Sequence, residues 1–161
     1  MTRSGFYNFL KTVFAEMGFI CKNSHFYKTE EDNEKVIVFG LQRSHCGPYY
    51  YLEYGLYIKS INKHLPFPKY NQLNLNCGRI MTSHGKAIVL DELDNAYLEE
   101  LKYLIKQSFI TMRTLVYMEN EELINYLFNE FNHRIWYILG DETAAYFGMT
   151  RKDFCYHFVE E

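Results

Sequence analysis

The sequence predicts an α+β fold: an antiparallel sheet built on a central hairpin, packed by an N-terminal helix and C-terminal helices. Two observations lead there. Residues 34–59 contain two long runs of alternating apolar side chains joined by a short loop. A helical stripe precedes them and a longer one follows, so the strand-like runs are grouped before the main helices, which favours α+β over an alternating parallel sheet.

The hairpin specifies its own register. If Ser44 pairs with Tyr49, leaving 45–48 as the loop, then Leu41 faces Leu52, Phe39 faces Tyr54 and Ile37 faces Leu56, and both apolar rows share one face. A slip of one residue would send one row to the wrong side. On the other face Val38 opposes Gly55 and Gly40 opposes Glu53, with Val36, Tyr49, Tyr51 and Tyr57 alongside. Glycines inside strands point to a bulge or a close backbone approach from that side. This second face is half polar, so it is expected to be partly covered or to meet a partner.

The other elements follow in order. Phe6, Phe9, Leu10, Val13, Phe14 and Met17 form one helical stripe, with Ser4 as the expected N-cap and Gly18 at the C-terminal stop. An edge strand begins near Phe19, Asn23-Ser24 is a turn, and residues 25–28 return as a second strand. Pro66 and Pro68 make 60–72 an irregular connection. Leu73, Leu75 and Cys77 alternate with Asn74, Asn76 and Gly78 as a further strand ending near Ile80, and 82–85 is a turn. Residues 87–90 are a short strand or a helix entry. From Asp94, an N-cap candidate, Tyr97, Leu101, Leu104, Ile105, Ser108, Met112, Leu115 and Val116 trace a long helix to about Tyr117. Asn120 restarts a helix with Leu123, Ile124, Leu127 and Phe131 inward, continuing over 135–139. Asp141 and Thr150 are read as N-caps of short helices, the latter in the spacing Thr150-x-x-Asp153.

A chain of 161 residues is expected to form one domain, 1–161. At 48% hydrophobic and 23% charged, its composition suits a soluble globular protein, and its 15 Tyr and 13 Phe supply a large core or an interface. Residues 1–90 carry 11 Lys+Arg against 6 Asp+Glu, giving +5; residues 91–161 carry 6 against 14, giving −8. Such asymmetry can orient a charged partner. No basic run indicates nucleic-acid binding, and no apolar run reaches the roughly 20 residues that span a bilayer. Cys21, Cys46, Cys77 and Cys155 are widely spaced and read as reduced thiols, so a cytoplasmic, bacterial-style protein is expected.

Catalytic signatures are missing from the sequence. There is no GxGxxG or P-loop, no HExxH, no paired CxxC and no GxSxG. No catalytic residue, cofactor or metal ligand is therefore assigned. His45-Cys46 at the hairpin tip, with Cys77 and His84, is the best set for a metal or a thiol–imidazole pair, yet adjacent ligands in a turn rarely meet one ion. Of the remaining histidines, His25, His64, His133 and His157 are scattered. Carboxylate pairs such as Glu99-Glu100 and Glu121-Glu122 are expected on solvated helix surfaces. Gln42, Arg43, Tyr49, Tyr51, Tyr57 and Arg79 compose the candidate partner surface.

An opening helix ending at Gly18-Phe19, the run Val36-Ile37-Val38-Phe39-Gly40-Leu41-Gln42-Arg43-Ser44, then Tyr54-Gly55-Leu56-Tyr57-Ile58, Gly78-Arg79, and Leu90-Asp91 before a long helix follow a familiar order. Over about residues 4–130 the chain resembles an uncharacterised bacterial family, the domain of unknown function numbered four-three-zero-four. The family has no established activity, so the resemblance supplies no catalytic residues. Small families of this style are similar to the immunity proteins of toxin systems. The expected function is a non-enzymatic module that binds another protein. The alternatives are a small hydrolase using His45 or His84 beside a carboxylate or Cys46, and a small-ligand binder.

Overall fold

The computed structural model describes residues 1–31, 33–61, 63, 65–130 and 141–150. Its elements are α1 (Arg3–Glu16), β1 (Ile20–Lys22), β2 (His25–Thr29), β3 (Lys35–Arg43), β4 (Tyr49–Ile58), β5 (Leu75–Arg79), β6 (Ile88–Val89), α2 (Asn95–Tyr117), α3 (Asn120–Glu130) and α4 (Asp141–Tyr146). Short 3₁₀ turns precede β5 and α2. One antiparallel sheet runs β1-β2-β3-β4-β5, with β6 beside the start of β4. The fold is α+β, as the grouping of strands and helices implies. Phe131, the 135–139 continuation and the Asp153 end of the Thr150 capping spacing lie outside the described residues, as do His64, His133, His157 and Cys155.

The hairpin register is the one set by its apolar rows. Leu41 opposes Leu52, Phe39 opposes Tyr54, Ile37 opposes Leu56, Val38 opposes Gly55 and Gly40 opposes Glu53. The Ser44 amide closes the loop by donating to the Tyr49 carbonyl at 2.9 Å. Phe26, Ile37, Phe39, Leu52 and Leu56 then share one face and bury fully in a core completed by α1, α2 and α3. Each such side chain contributes about 1.5–3 kcal/mol of transfer free energy, so this face dominates stability.

The helices start and stop for local reasons. Thr2, not Ser4, caps α1, its hydroxyl accepting from the Gly5 amide at 3.1 Å. At the other end Gly18 takes φ +77, its amide bonds to Ala15 O and the Phe19 amide bonds to Phe14 O. This paired closure is normally sealed by a contact between the residues it joins. Here that contact is the edge-on Phe14–Phe19 pair, ring centres 5.1 Å apart. Asn23 and Ser24 both adopt positive φ, the left-handed pair that a two-residue hairpin turn requires. Asp94 caps α2 by accepting from the Tyr97 amide at 2.8 Å. The last carbonyls of α2 and its cap receive side chains from the β2–β3 connection and the first residue of β3, Asn33 Nδ2 to Val116 O at 3.0 Å and Lys35 Nζ to Met118 O at 2.6 Å. A cation suits the negative end of a helix. Asp141 is the first residue of α4 itself, one position later in role than an N-cap.

Two features of the sheet were invisible in the alternation. Leu73 precedes β5 and packs on the second face with Tyr27, Val36, Val38 and Tyr57, whereas Leu75 and Cys77 enter the helix-side core. In addition, β5 carries a bulge: Tyr54 pairs with Gly78 and Gly55 with Asn76, leaving Cys77 unmatched. Strict alternation would place Arg79 with Leu75 and Cys77. The extra residue turns it to the opposite face instead, across from Glu53.

Gly55 sits against this bulge, where an added Cβ would stand 2.2 Å from the Leu75 carbonyl oxygen. Because the obstacle is backbone, Gly55→Ala must shift β5, and we expect a loss of about 2–4 kcal/mol by urea denaturation. A variant within 0.5 kcal/mol (about the error for a neutral surface change) contradicts this close approach.

Candidate functional site

Polar and titratable side chains gather on the second face of the sheet, around Glu53. Alternation along β4 turns Tyr49, Tyr51, Glu53, Gly55 and Tyr57 away from the helices. Gly40 faces Glu53 across the hairpin, and a Cβ there would come within 3.1 Å of the Tyr70 Cβ. The missing side chain therefore admits Tyr70 over the sheet. Tyr70 is held by its own amide, which donates to His25 Nε2 at 3.0 Å, while His25 Nδ1 lies 2.9 Å from Asn23 O. The Tyr70 hydroxyl receives the Asn76 amide, whose Oδ1 accepts from the Gly78 amide at 3.0 Å inside the bulge.

Glu53 is fully buried, and its Oε1 pairs with Arg79 Nε. Among the described residues its Oε2 makes no hydrogen bond of regular geometry. Burial pushes the Glu53 carboxyl above its ordinary value; the Arg79 guanidinium and the Tyr70 hydroxyl pull the other way without cancelling it. A buried carboxylate is costly, because charge leaves water for a small set of donors. Arg79 keeps 43% of its side chain exposed, and its guanidinium lies 4.4 Å above the Tyr51 ring. Tyr51 meets Tyr49 edge-on, ring centres 6.0 Å apart. The result is a guanidinium fixed along one edge by an ion pair and across one plane by an aromatic ring.

Of the six candidate surface residues, four converge. Gln42 and Tyr51 are cross-strand neighbours on this face, Tyr49 lies one alternation along, and Arg79 covers Tyr51. Arg43 is exposed but shares the alternation of Leu41 and Phe39, on the helix side of the sheet. Tyr57 is corrected: it is on the second face as expected, yet only 3% exposed, because Leu73 and Tyr70 pack over it. Sequence reasoning missed Glu53, Tyr70 and Asn76. A carboxylate opposite a strand glycine was the available signal for Glu53.

The set His45, Cys46, Cys77 and His84 is not assembled. His45 and Cys46 are exposed at the hairpin tip, whereas Cys77 is 1% exposed inside the helix-side core, where burial pushes its thiol up to about 12. His84 stacks on Tyr97 with ring centres 4.6 Å apart. Glu100 is its nearby carboxylate, but it accepts both the Ser83 amide at 2.6 Å and the Ser83 hydroxyl at 2.8 Å, which lowers its pKa. Glu100 thus fastens the 82–85 turn to α2. Among the described residues no three His, Cys, Asp or Glu side chains are grouped to hold a metal ion, and no helix is long and apolar enough to cross a membrane.

The raised Glu53 value has a signed consequence. The folded chain binds this proton more tightly than the unfolded chain, so stability associated with the neutral acid is present at low pH. It is lost as pH rises from the ordinary carboxylate value through the raised one. Glu53→Gln abolishes that titration. Denaturation across about pH 4 to 8 should show the wild type losing stability relative to Glu53→Gln as pH increases, whereas parallel profiles would mean the carboxyl is unshifted.

Comparison with curated proteins and with solved structures returns no match. The family model described as "Domain of unknown function (DUF4304)" matches residues 10–140, in line with the order of strand and glycine motifs from α1 to α3. With most of its length inside that match, the chain belongs to the DUF4304 family.

Proposed function

We propose that this chain is a non-enzymatic, cytoplasmic protein-binding module of the immunity-like kind, and that it docks through the patch of Gln42, Tyr49, Tyr51 and Arg79. The observation that carries this reading is the fixed Arg79 guanidinium, ion-paired to buried Glu53 and stacked on Tyr51 while 43% of the side chain stays exposed. Arginine and tyrosine dominate binding hot spots because they offer large contact area together with directed donors. Here the ordering of a long side chain, ordinarily about 0.5–1.5 kcal/mol of the binding penalty, is already met in the free protein. Glu53 engages Nε and leaves the terminal amino groups of the fork for a partner carboxylate. The partner is therefore a protein presenting Asp, Glu or a C-terminal carboxylate beside an apolar or aromatic contact.

The test compares capture by wild type, Tyr49→Ala/Tyr51→Ala and, as a control, Tyr103→Ala on the exposed side of α2. Truncating hot-spot tyrosines should cost at least about 2 kcal/mol, so a protein held by wild type and by Tyr103→Ala should bind the double variant roughly 30-fold more weakly. Near-unchanged circular dichroism would show that the sheet survives. Equal retention by all three baits, or no captured protein, overturns the proposal. Tyr57→Ala is unsuitable as a surface probe: removing this buried ring should destabilise the domain by about 3–5 kcal/mol.

A further inference from the structure

The second face holds another feature, six residues further along β4 from Tyr51. A cleft of about 450 Å³ opens between the sheet and the connection that follows β4. Its floor is made by Tyr27, Val36 and Tyr57, one from each of three neighbouring strands and each less than 10% exposed. Its wall includes Phe67, whose ring meets Tyr27 edge-on with centres 5.2 Å apart. The Tyr27 hydroxyl donates to Pro68 O at 2.8 Å, pinning wall to floor, so the space is preformed. This volume lies in the range of sites that enclose small organic molecules, roughly 300–1,000 Å³.

The charge around the cleft is one-sided. Lys59 and Lys63 line it, Lys22 Nζ lies 5.5 Å from the Phe67 ring centre, and no Asp or Glu is among the described lining residues. Lys59 Nζ donates to Asn33 O at 3.0 Å. Glu34, close enough to feel Lys59, is held by the Tyr146 and Ser60 hydroxyls and is not among the described lining residues. Lysines give point charges, not the planar fork or backbone cradle that selects phosphate esters. An aromatic floor with a cationic rim instead suits an apolar body ending in one negative charge.

We infer that this cleft binds a small organic monoanion, a medium-chain or aromatic carboxylate, with the apolar body on Tyr27, Val36 and Tyr57 and the carboxylate at Lys59 and Lys63. The site is independent of the Arg79 patch. Calorimetric titration with decanoate and with uncharged decanol tests it. Decanoate should saturate one site per chain, and decanol should bind at least about tenfold more weakly, the difference that one charge-assisted contact supplies. Lys63→Glu, at an exposed position, should weaken decanoate by a similar factor and leave decanol unchanged. Thr29→Trp, at an exposed strand position on the cleft lining, should abolish both. Ring-proton shifts of Tyr27 and Tyr57 on adding decanoate to the wild type give a readout that needs no variant. Absence of saturable binding, equal affinity for the two probes, indifference to Lys63→Glu, or unmoved tyrosine signals each overturns the inference.

Discussion

The pairing of β3 with β4 is the constraint on which the rest of the molecule depends. Nine residue pairs fix it, from Lys35–Ile58 to Arg43–Tyr50. One face of that ladder presents Ile37, Phe39, Leu52 and Leu56 to the helices; the other presents Val38, Gly40, Glu53 and Gly55. A slip of one residue on β4 would drive Glu53 into the phenylalanine-rich core and expose two leucines. The apolar rows and the carboxylate thus impose the same register from opposite sides. Core and candidate site are two consequences of one alignment.

The bulge at Cys77 extends this logic to β5. With regular alternation, Arg79 would follow Leu75 and Cys77 toward the helices and Glu53 would be buried without a cation. By absorbing Cys77 into the helix-side core and releasing Arg79 to the other face, the strand supplies the partner that a buried carboxylate requires. The exchange is incomplete, since Glu53 Oε2 lacks a regular hydrogen bond among the described residues and burial pushes the carboxyl above its ordinary value.

How much of this was legible in the sequence depended on the range of the determining interaction. The hairpin register could be read because nine pairs agree on it. The α1 stop could be read because Gly18 and Phe19 act within one helical turn. Glycines inside strands announced close approaches, and both Gly40 and Gly55 have them. The fate of the second face could not be read. Burial of Tyr57 depends on Tyr70 and Leu73, brought in by a proline-containing segment with no periodic pattern and anchored by His25, 45 residues away in sequence. Asn74 is a similar case. It reads as the polar half of an alternation, yet it is 1% exposed, accepting from the Ile58 amide at 2.7 Å and donating to Thr143 Oγ1 at 3.1 Å. A bulge leaves no mark on composition, so the turn of Arg79 toward Glu53 was equally hidden.

The charge asymmetry of the chain acquires a direction from the same geometry. Lys22, Lys59, Lys63 and Arg79 all come from the basic first ninety residues and surround the second face, while the carboxylates Glu99, Glu121 and Glu122 belong to the helices of the acidic remainder. The one carboxylate of β4 on that face, Glu53, is buried and already paired. A Debye length of about 8–10 Å at ordinary ionic strength keeps these cations acting together only over short distances. Tyr70, seated over Gly40 and against Leu73, divides the face into a polar end at Arg79 and an aromatic end at Tyr57. The two ends therefore both carry cationic side chains and differ in what surrounds them: an ordered guanidinium on tyrosine at one, an apolar floor in an open cleft beside lysines at the other.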